Sequence, residues 1–200
     1  MKRGFDIALS GAGLIVSWPL WLAAAAAIKV EDGGPIFYTQ ERVGRRGRVF
    51  SVLKFRSMVP DAEASVGARQ ASHGDPRITR VGRLLRATAL DELPQLWNIF
   101  RGDMSFVGPR ALRPGEIEVR GDGSEERLED VPGFTSRIRV RPGLTGVAQI
   151  YADRDIPRRW KFQYDKLYIR KQSFWLDCRL IMLSFWITFR GSWEARGRKF

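Results

Sequence analysis

Two adjacent carboxylates, Asp91 and Glu92, open the apolar run Leu90-Asp91-Glu92-Leu93-Pro94-Gln95-Leu96-Trp97-Asn98. Leu90, Leu93, Leu96 and Trp97 recur at helical spacing, which predicts a helix that turns that face inward and leaves the carboxylates at its start. Proline lacks the N–H that an interior turn donates and is tolerated in the first turn, so Asp91 is expected as N-cap with Pro94 just inside the helix. Free N–H groups and the positive end of the helix dipole would then surround Asp91, keep it ionised and attract phosphate. A carboxylate so placed can act as a nucleophile; the plainer alternative is a capped surface helix.

Cations that could serve this carboxylate pair recur along the chain. In Val49-Phe50-Ser51-Val52-Leu53-Lys54-Phe55-Arg56, strand alternation puts Lys54 and Arg56 on one face and Leu53 and Phe55 on the other. Two cations on one face could grip a diphosphate, or simply form a solvated face. Ile36 to Tyr38 reads as a short strand, with Gln40 to Arg48 as a basic turn that can meet acidic headgroups. Thr79 to Ala87 reads as a helix with Val81, Leu84 and Leu85 inward, and it delivers Arg86 shortly before Asp91. Arg110 follows a rigid Gly108-Pro109, which suits either fixed anion contact or a plain turn. Pro157 to Lys171 reads as a helix carrying Asp165, where pairing with Lys161 one turn earlier is the simplest role.

The composition narrows the chemistry. Lys and Arg number 34 against 22 Asp and Glu, a formal charge of +12, so the protein seeks anions: nucleic acid, lipid headgroups or a phosphorylated small molecule. One cysteine, Cys178, permits no internal disulfide and no cysteine zinc site, and one histidine, His73 in a turn-like segment, permits no multi-histidine site. There is no Walker A run and no G-x-S-x-G elbow.

No charge interrupts Ile7 to Ile28, and a straight helix of that length would reach about 33 Å, enough for a bilayer core of about 30 Å. Pro19 near its middle predicts a kink or break, which would let the segment enter and leave on one face. A straight span and a secretory signal are the alternatives. Phe174 to Phe189 is apolar but carries Asp177 and Arg179, and reads as a helix lying in the interface or packed under the domain.

Taken in order, these pieces resemble the bacterial sugar transferases, the small monotopic phosphoglycosyl transferases. The matching stretches are the N-terminal helix, Gln40 to Gly44, Lys54-Phe55-Arg56-Ser57-Met58, Leu90 to Asn98, Arg101 to Arg110, Arg141 to Gln149, Tyr164-Asp165 and Ser173 to Asp177. The resemblance implies an α+β, mostly helical fold: a proline-broken re-entrant membrane helix over residues 1–30, integrated with a small cytoplasmic catalytic domain and its interfacial helices over 31–200. It further implies that Asp91 attacks the β-phosphate of a UDP-sugar, expels UMP and passes the phosphosugar to polyprenyl phosphate. Glu92 would help hold Mg²⁺; Lys54, Arg56, Arg86 and Arg110 would serve the substrate phosphates, and Asp165 would belong to the substrate site. Ser17 and Pro19 would form the helix break. The expected partners are the UDP-sugar donor, the polyprenyl phosphate acceptor and membrane lipid, with self-association left open and no nucleic acid. The expected location is the cytoplasmic face of a bacterial inner membrane. Three positions depart from the family pattern: Trp18 separates Ser17 from Pro19, Ala111 follows Arg110, and Val147 follows Thr145-Gly146. The competing reading is a basic, membrane-tethered nucleic-acid binder.

Overall fold

A computed structural model describes residues 1–60, 62, 74–119, 123–153 and 156–190. His73 lies outside them. Seven α-helices, two 3₁₀ turns and three two-stranded sheets make up the described residues, an α+β, mostly helical arrangement. Helix α1 (Lys2–Asp32) leads into an antiparallel hairpin of β1 (Phe37–Val43) and β2 (Val49–Phe55), paired from Phe37↔Phe55 to Val43↔Val49. Strand β1 extends through Gln40 to Val43, beyond the strand expected at 36–38, and the turn itself covers 44–48.

Helix α2 (Arg80–Ala87) is capped by the Thr79 side chain, and helix α3 (Gln95–Arg101) follows it. Strand β3 (Ser105–Val107) pairs in parallel with β6 (Gly143–Thr145), a pairing across almost forty residues that local pattern does not announce. Between them lie the hairpin of β4 (Ile117–Val119) and β5 (Glu125–Arg127) and helix α4 (Phe134–Arg137). Helices α5 (Val147–Tyr151), α6 (Arg158–Lys171) and α7 (Phe174–Phe189) close the described chain.

Pro19 does not interrupt α1, contrary to the break expected there: helical conformation continues from Lys2 to Asp32. One missing N–H removes one rung of the ladder, and the turns on either side retain theirs. The Ser17 hydroxyl accepts a hydrogen bond from Trp21 Nε1 at 3.1 Å. The helix is long and apolar enough to cross a membrane.

Both ends of α1 are nonetheless seated on the same domain. At the first turns, Lys2 pairs with Asp177 at 2.5 Å, Arg3 donates to the carbonyls of Ile99 and Phe100, and buried Asp6 accepts from Ser105 Oγ and the Phe106 N–H. At the last turn, the Glu31 carboxylate accepts the Arg80 and Val81 N–H groups and so caps α2, and Asp32 pairs with Arg56. Between these attachments Ile15, Val16, Trp18 and Leu22 stand 58–78% exposed.

Two apolar clusters hold the site region. Ile99, Leu180 and Ile187 are fully buried at the centre of one, with Val52, Leu96, Phe106 and Tyr168. Ala24 and Ile28 of α1 meet Phe55 and Leu85 in the other. The expected inward face of α2 is corrected at Leu84, which is 65% exposed, and that of the central helix at Trp97, 46% exposed.

Candidate active site

Asp91 and Glu92 lie in a 3₁₀ turn, Leu90–Glu92, ahead of α3. Leu90 and Leu93, one such turn apart, pack against the Phe55 and Leu85 cluster, leaving the carboxylates between them on the other side of the turn. The expected capping role is corrected: α3 starts at Gln95 with Pro94 at its N-cap, and no side chain caps it. Pro94 has no N–H to give the Leu90 carbonyl, so the Leu93 N–H takes that carbonyl at 3.1 Å and the chain winds more tightly than an α-helix. Ala89, just before the turn, has φ 55°, a left-handed conformation that is costly for a residue with a Cβ.

The electrostatics of Asp91 change accordingly. Burial, and next the negative charge of Glu92, push its carboxyl up to about 6, with Lys54 and Arg86 opposing the rise. Asp91 is thus a carboxylate of raised basicity rather than one held strongly ionised by a helix end. Glu92 behaves oppositely. Burial works against its charge, but Lys54, Arg110 and hydrogen bonds from Lys54 and Gln95 outweigh it and draw the carboxyl down to about 2. The Lys54 ammonium sits 2.5 Å from Glu92 Oε1.

Lys54 reaches Glu92 because Asn98 ties their elements together. Its buried amide accepts the Leu53 N–H at 2.9 Å and donates to the Ser51 carbonyl at 2.8 Å, docking α3 onto β2. Arg86 arrives on α2, whose close approach to the Lys54–Met58 stretch needs Gly82: a Cβ there would meet the Ser57 carbonyl oxygen at 2.0 Å. Arg110 sits after β3, where Gly108 and Gly143 allow backbone contact too close for any side chain, and the Gly143 N–H bonds the Pro109 carbonyl at 2.9 Å. Lys54, Arg86 and Arg110 therefore converge on the carboxylate pair.

Arg56 and Asp165 do not share that placement. Arg56 is buried against Asp32 at the end of α1, so the expectation that it faces the same anion as Lys54 meets a different partner. Asp165 pairs with Arg137 at 3.1 Å, both buried, not with Lys161 on its own helix. Burial pushes the Asp165 carboxyl up, with Arg137 opposing. Arg137 in turn donates to the Arg110 carbonyl at 2.7 Å, so Asp165 acts on the site through two intervening residues.

Sequence reasoning missed three residues. Asn98 and Arg137 bond partners distant in the chain, and no local pattern marks such pairs. Arg42 stood in a quoted motif, but its neighbours are visible only in space. A bridge between Val43 and Leu112 lays β1 beside the Arg110 segment, and Arg42 Nη1 donates to the Ala111 carbonyl at 3.2 Å. Burial, then the charges of Arg110 and Arg113, push the Arg42 guanidinium down to about 10. Arg42 and Arg113 thus cluster with Arg110, the arginine that acts on Glu92, in an arrangement suited to a polyanion.

Among the described residues no group of three or more His, Cys, Asp or Glu side chains could by itself hold a metal ion. Two adjacent carboxylates are a donor set of the kind Mg²⁺ takes, completing its shell with water and substrate phosphate oxygens, and Glu92 Oε1 already meets Lys54.

The family model for bacterial sugar transferases matches residues 1–191. Among curated proteins, the undecaprenyl-phosphate glucose phosphotransferase of Komagataeibacter xylinus is 43% identical over 190 residues, covering 92% of this chain and 35% of that protein. The UDP-N-acetylgalactosamine-undecaprenyl-phosphate N-acetylgalactosaminephosphotransferase of Aeromonas hydrophila is 39% identical over 184 residues, 90% of this chain and 42% of that one. Exopolysaccharide production protein ExoY of Rhizobium meliloti (strain 1021) is 36% identical over 194 residues, 90% of this chain and 81% of its own length. The chain thus spans well under half of the first two relatives and most of the third.

Proposed function

The chain belongs to the bacterial sugar transferase family, and from that membership we propose that it moves a sugar 1-phosphate from a UDP-sugar to a polyprenyl phosphate such as undecaprenyl phosphate. The observation that carries the assignment of Asp91 is its setting: a carboxylate of raised basicity, flanked by Lys54, Arg86 and, across Glu92, Arg110.

An Asp91 oxygen attacks the β-phosphorus of the donor, and the bond from that phosphorus to the oxygen bridging the two phosphates breaks. UMP departs with the bonding electron pair, leaving the phosphosugar as an acyl phosphate on Asp91. A phosphate oxygen of the polyprenyl acceptor then attacks the same phosphorus, the bond to Asp91 breaks, and polyprenyl diphosphate sugar leaves with the carboxylate restored. Two steps replace one transfer between anions, and Lys54, Arg86 and Arg110 neutralise the charge that gathers at each. Arg42, beside Arg110, adds a further cation to that set. Glu92, kept ionised, would hold Mg²⁺ together with substrate phosphate oxygens; the ion would supply further charge neutralisation. Asp165 and Arg137 are positioning residues that fix the Arg110 backbone.

The membrane reading follows from the attachment of α1. A helix whose two ends are tied to one domain has both ends on that domain's side of a bilayer, and its exposed apolar middle, with a bend permitted by Pro19, dips into the hydrocarbon. Exposed Trp175, Met182, Trp186 and Phe189 share one face of α7 and lie in the interface. Catalysis then takes place at headgroup level on the cytoplasmic face of the inner membrane, where soluble donor and lipid acceptor meet, as a membrane step of glycan assembly.

The experiment is direct. Purified protein with Mg²⁺, polyprenyl phosphate and a panel of UDP-sugars should release UMP with at least one of them, and Asp91→Asn should abolish release. Mass spectrometry after incubation with donor alone should find the phosphosugar adduct on residue 91. Turnover with the adduct on another residue would overturn the role given to Asp91.

A further inference from the structure

A second cationic site lies at the opposite end of α1 from Asp32. A cleft of about 180 Å³ opens there, lined by Lys2, Arg3, Arg45, Arg139 and Arg141 together with Asp6. It shares no residue with Lys54, Arg86, Asp91, Glu92 or Arg110. With a water occupying about 30 Å³ of liquid, the volume suits a phosphate group and part of what it is attached to.

The charge in this cleft is not spent inside the protein. Lys2 is paired with Asp177, but Arg3, Arg45 and Arg141 direct donors to backbone carbonyls, of Ile99 and Phe100, of Arg139, and of Gly102. A carbonyl satisfies an N–H without neutralising a guanidinium. Among the described residues none of Arg3, Arg45, Arg139 and Arg141 forms an ion pair with a carboxylate, whereas several arginines elsewhere do. Asp6, the one lining carboxylate, is buried and turned to Ser105 Oγ and the Phe106 N–H. These backbone bonds fix the Arg3, Arg45 and Arg141 guanidiniums around the cleft at no cost in charge. Such an arrangement suits an anion with several oxygens.

We propose that this cleft binds a phosphate group presented by the headgroup of an anionic membrane lipid. The source follows from position: the cleft adjoins the first turn of the one described helix apolar and long enough for a membrane. A site there is carried to headgroup depth, and lipid bound in it clamps the start of α1 to the domain. The inference rests on α1 being membrane-embedded, and is independent of the transfer reaction.

The test uses the full chain in detergent, with native mass spectrometry of retained lipid as the readout and phosphatidylglycerol competing against phosphatidylcholine. The wild type should retain phosphatidylglycerol preferentially. Arg45→Gln with Arg139→Gln, both on the exposed rim, should lose that preference by about fivefold for each charge removed. Arg46→Gln with Arg48→Gln removes equal charge from the same basic turn outside the cleft lining and should leave the preference in place. Equal loss in both double variants would mean diffuse surface attraction and overturn the site. Saturation by inorganic phosphate without lipid preference would overturn the lipid source, and absence of both would overturn the proposal. Unchanged melting temperatures of the variants separate loss of binding from loss of fold. Because the readout is bound lipid, a failure of UMP release leaves this result standing.

Discussion

Lys54 Nζ on β2 lies 2.5 Å from Glu92 Oε1, and this contact separates the behaviour of two neighbouring carboxylates. Lys54 and Arg110 make Glu92 a permanent anion, and the fixed charge of Glu92 then adds to burial in raising Asp91. One residue becomes suited to steady charge balance, the other to bond formation. Adjacent groups pushed to opposite sides of their ordinary values are how one site divides such labour.

A carboxyl raised in the folded state makes its ionisation a cost to folding. The unfolded value of Asp91 is 3.8 and the folded value about 6, so the cost is absent below about pH 4, grows between about 4 and 6, and is complete above. Asp91→Asn should therefore be more stable than wild type at pH 7 to 8, by at most about 3 kcal/mol, and the gain should vanish near pH 4. Differential scanning across pH would show it; a variant that melts lower at neutral pH would contradict the burial argument.

Rate should follow the same ionisation. Adduct formation needs Asp91 deprotonated, so kcat/KM for UMP release should climb through about pH 6 and level off above. Lys54 lowers both carboxyls, so Lys54→Met should move this limb to higher pH as well as slow the reaction. A slower variant with an unmoved limb would confine Lys54 to substrate contact.

Positioning residues should fail differently from the nucleophile. Asn98→Ala leaves the Leu53 N–H and Ser51 carbonyl without their partner, at about 1–3 kcal/mol for each buried group left unsatisfied. Arg137→Ala strands buried Asp165, at about 3–5 kcal/mol. Both variants should melt lower and lose kcat while some Asp91 adduct still forms, whereas Asp91→Asn should form none at any temperature. Chemical denaturation combined with adduct counting separates the classes.

What was legible in the sequence was local. The spacing of Leu90 and Leu93 and the strand character around Lys54 describe contacts within a few residues, and the fold keeps them, while the shared face expected for Lys54 and Arg56 is lost where β2 ends at Phe55 and Arg56 turns to Asp32. Asp91 was misread as a helix cap because the pattern shows where apolar residues recur, not whether the turn closes through i+3 or i+4, and Pro94 decides that. Periodicity places Leu84 and Trp97 inward because it reports apolar character without saying what covers it; both are exposed. Asp165 with Arg137, and Arg42 with Arg110, are brought together by β-pairing and helix packing across long stretches of chain.

Metal binding should be visible without turnover. If Glu92 supplies an oxygen ligand, Mn²⁺ with UDP should bind wild type and give an electron paramagnetic resonance signal of bound ion, and Glu92→Gln should weaken that binding by at least tenfold. Equal binding by the variant would remove Glu92 from the metal site.

The two seats of α1 make a topological prediction. Gly4, with open space beside it, and Val30, 87% exposed, lie near opposite ends of the helix and can each carry a cysteine in a chain whose Cys178 is replaced by serine. A straight helix of this length would be about 46 Å long and could place those positions on opposite sides of a bilayer. Attachment of Asp6 to Ser105 and of Glu31 to the start of α2 demands the same side for both. In spheroplasts, a membrane-impermeant maleimide should label neither position, and in inverted vesicles it should label both. Labelling of either one in spheroplasts would mean that α1 crosses the membrane, and that its contacts with the domain at one end are absent in the bilayer.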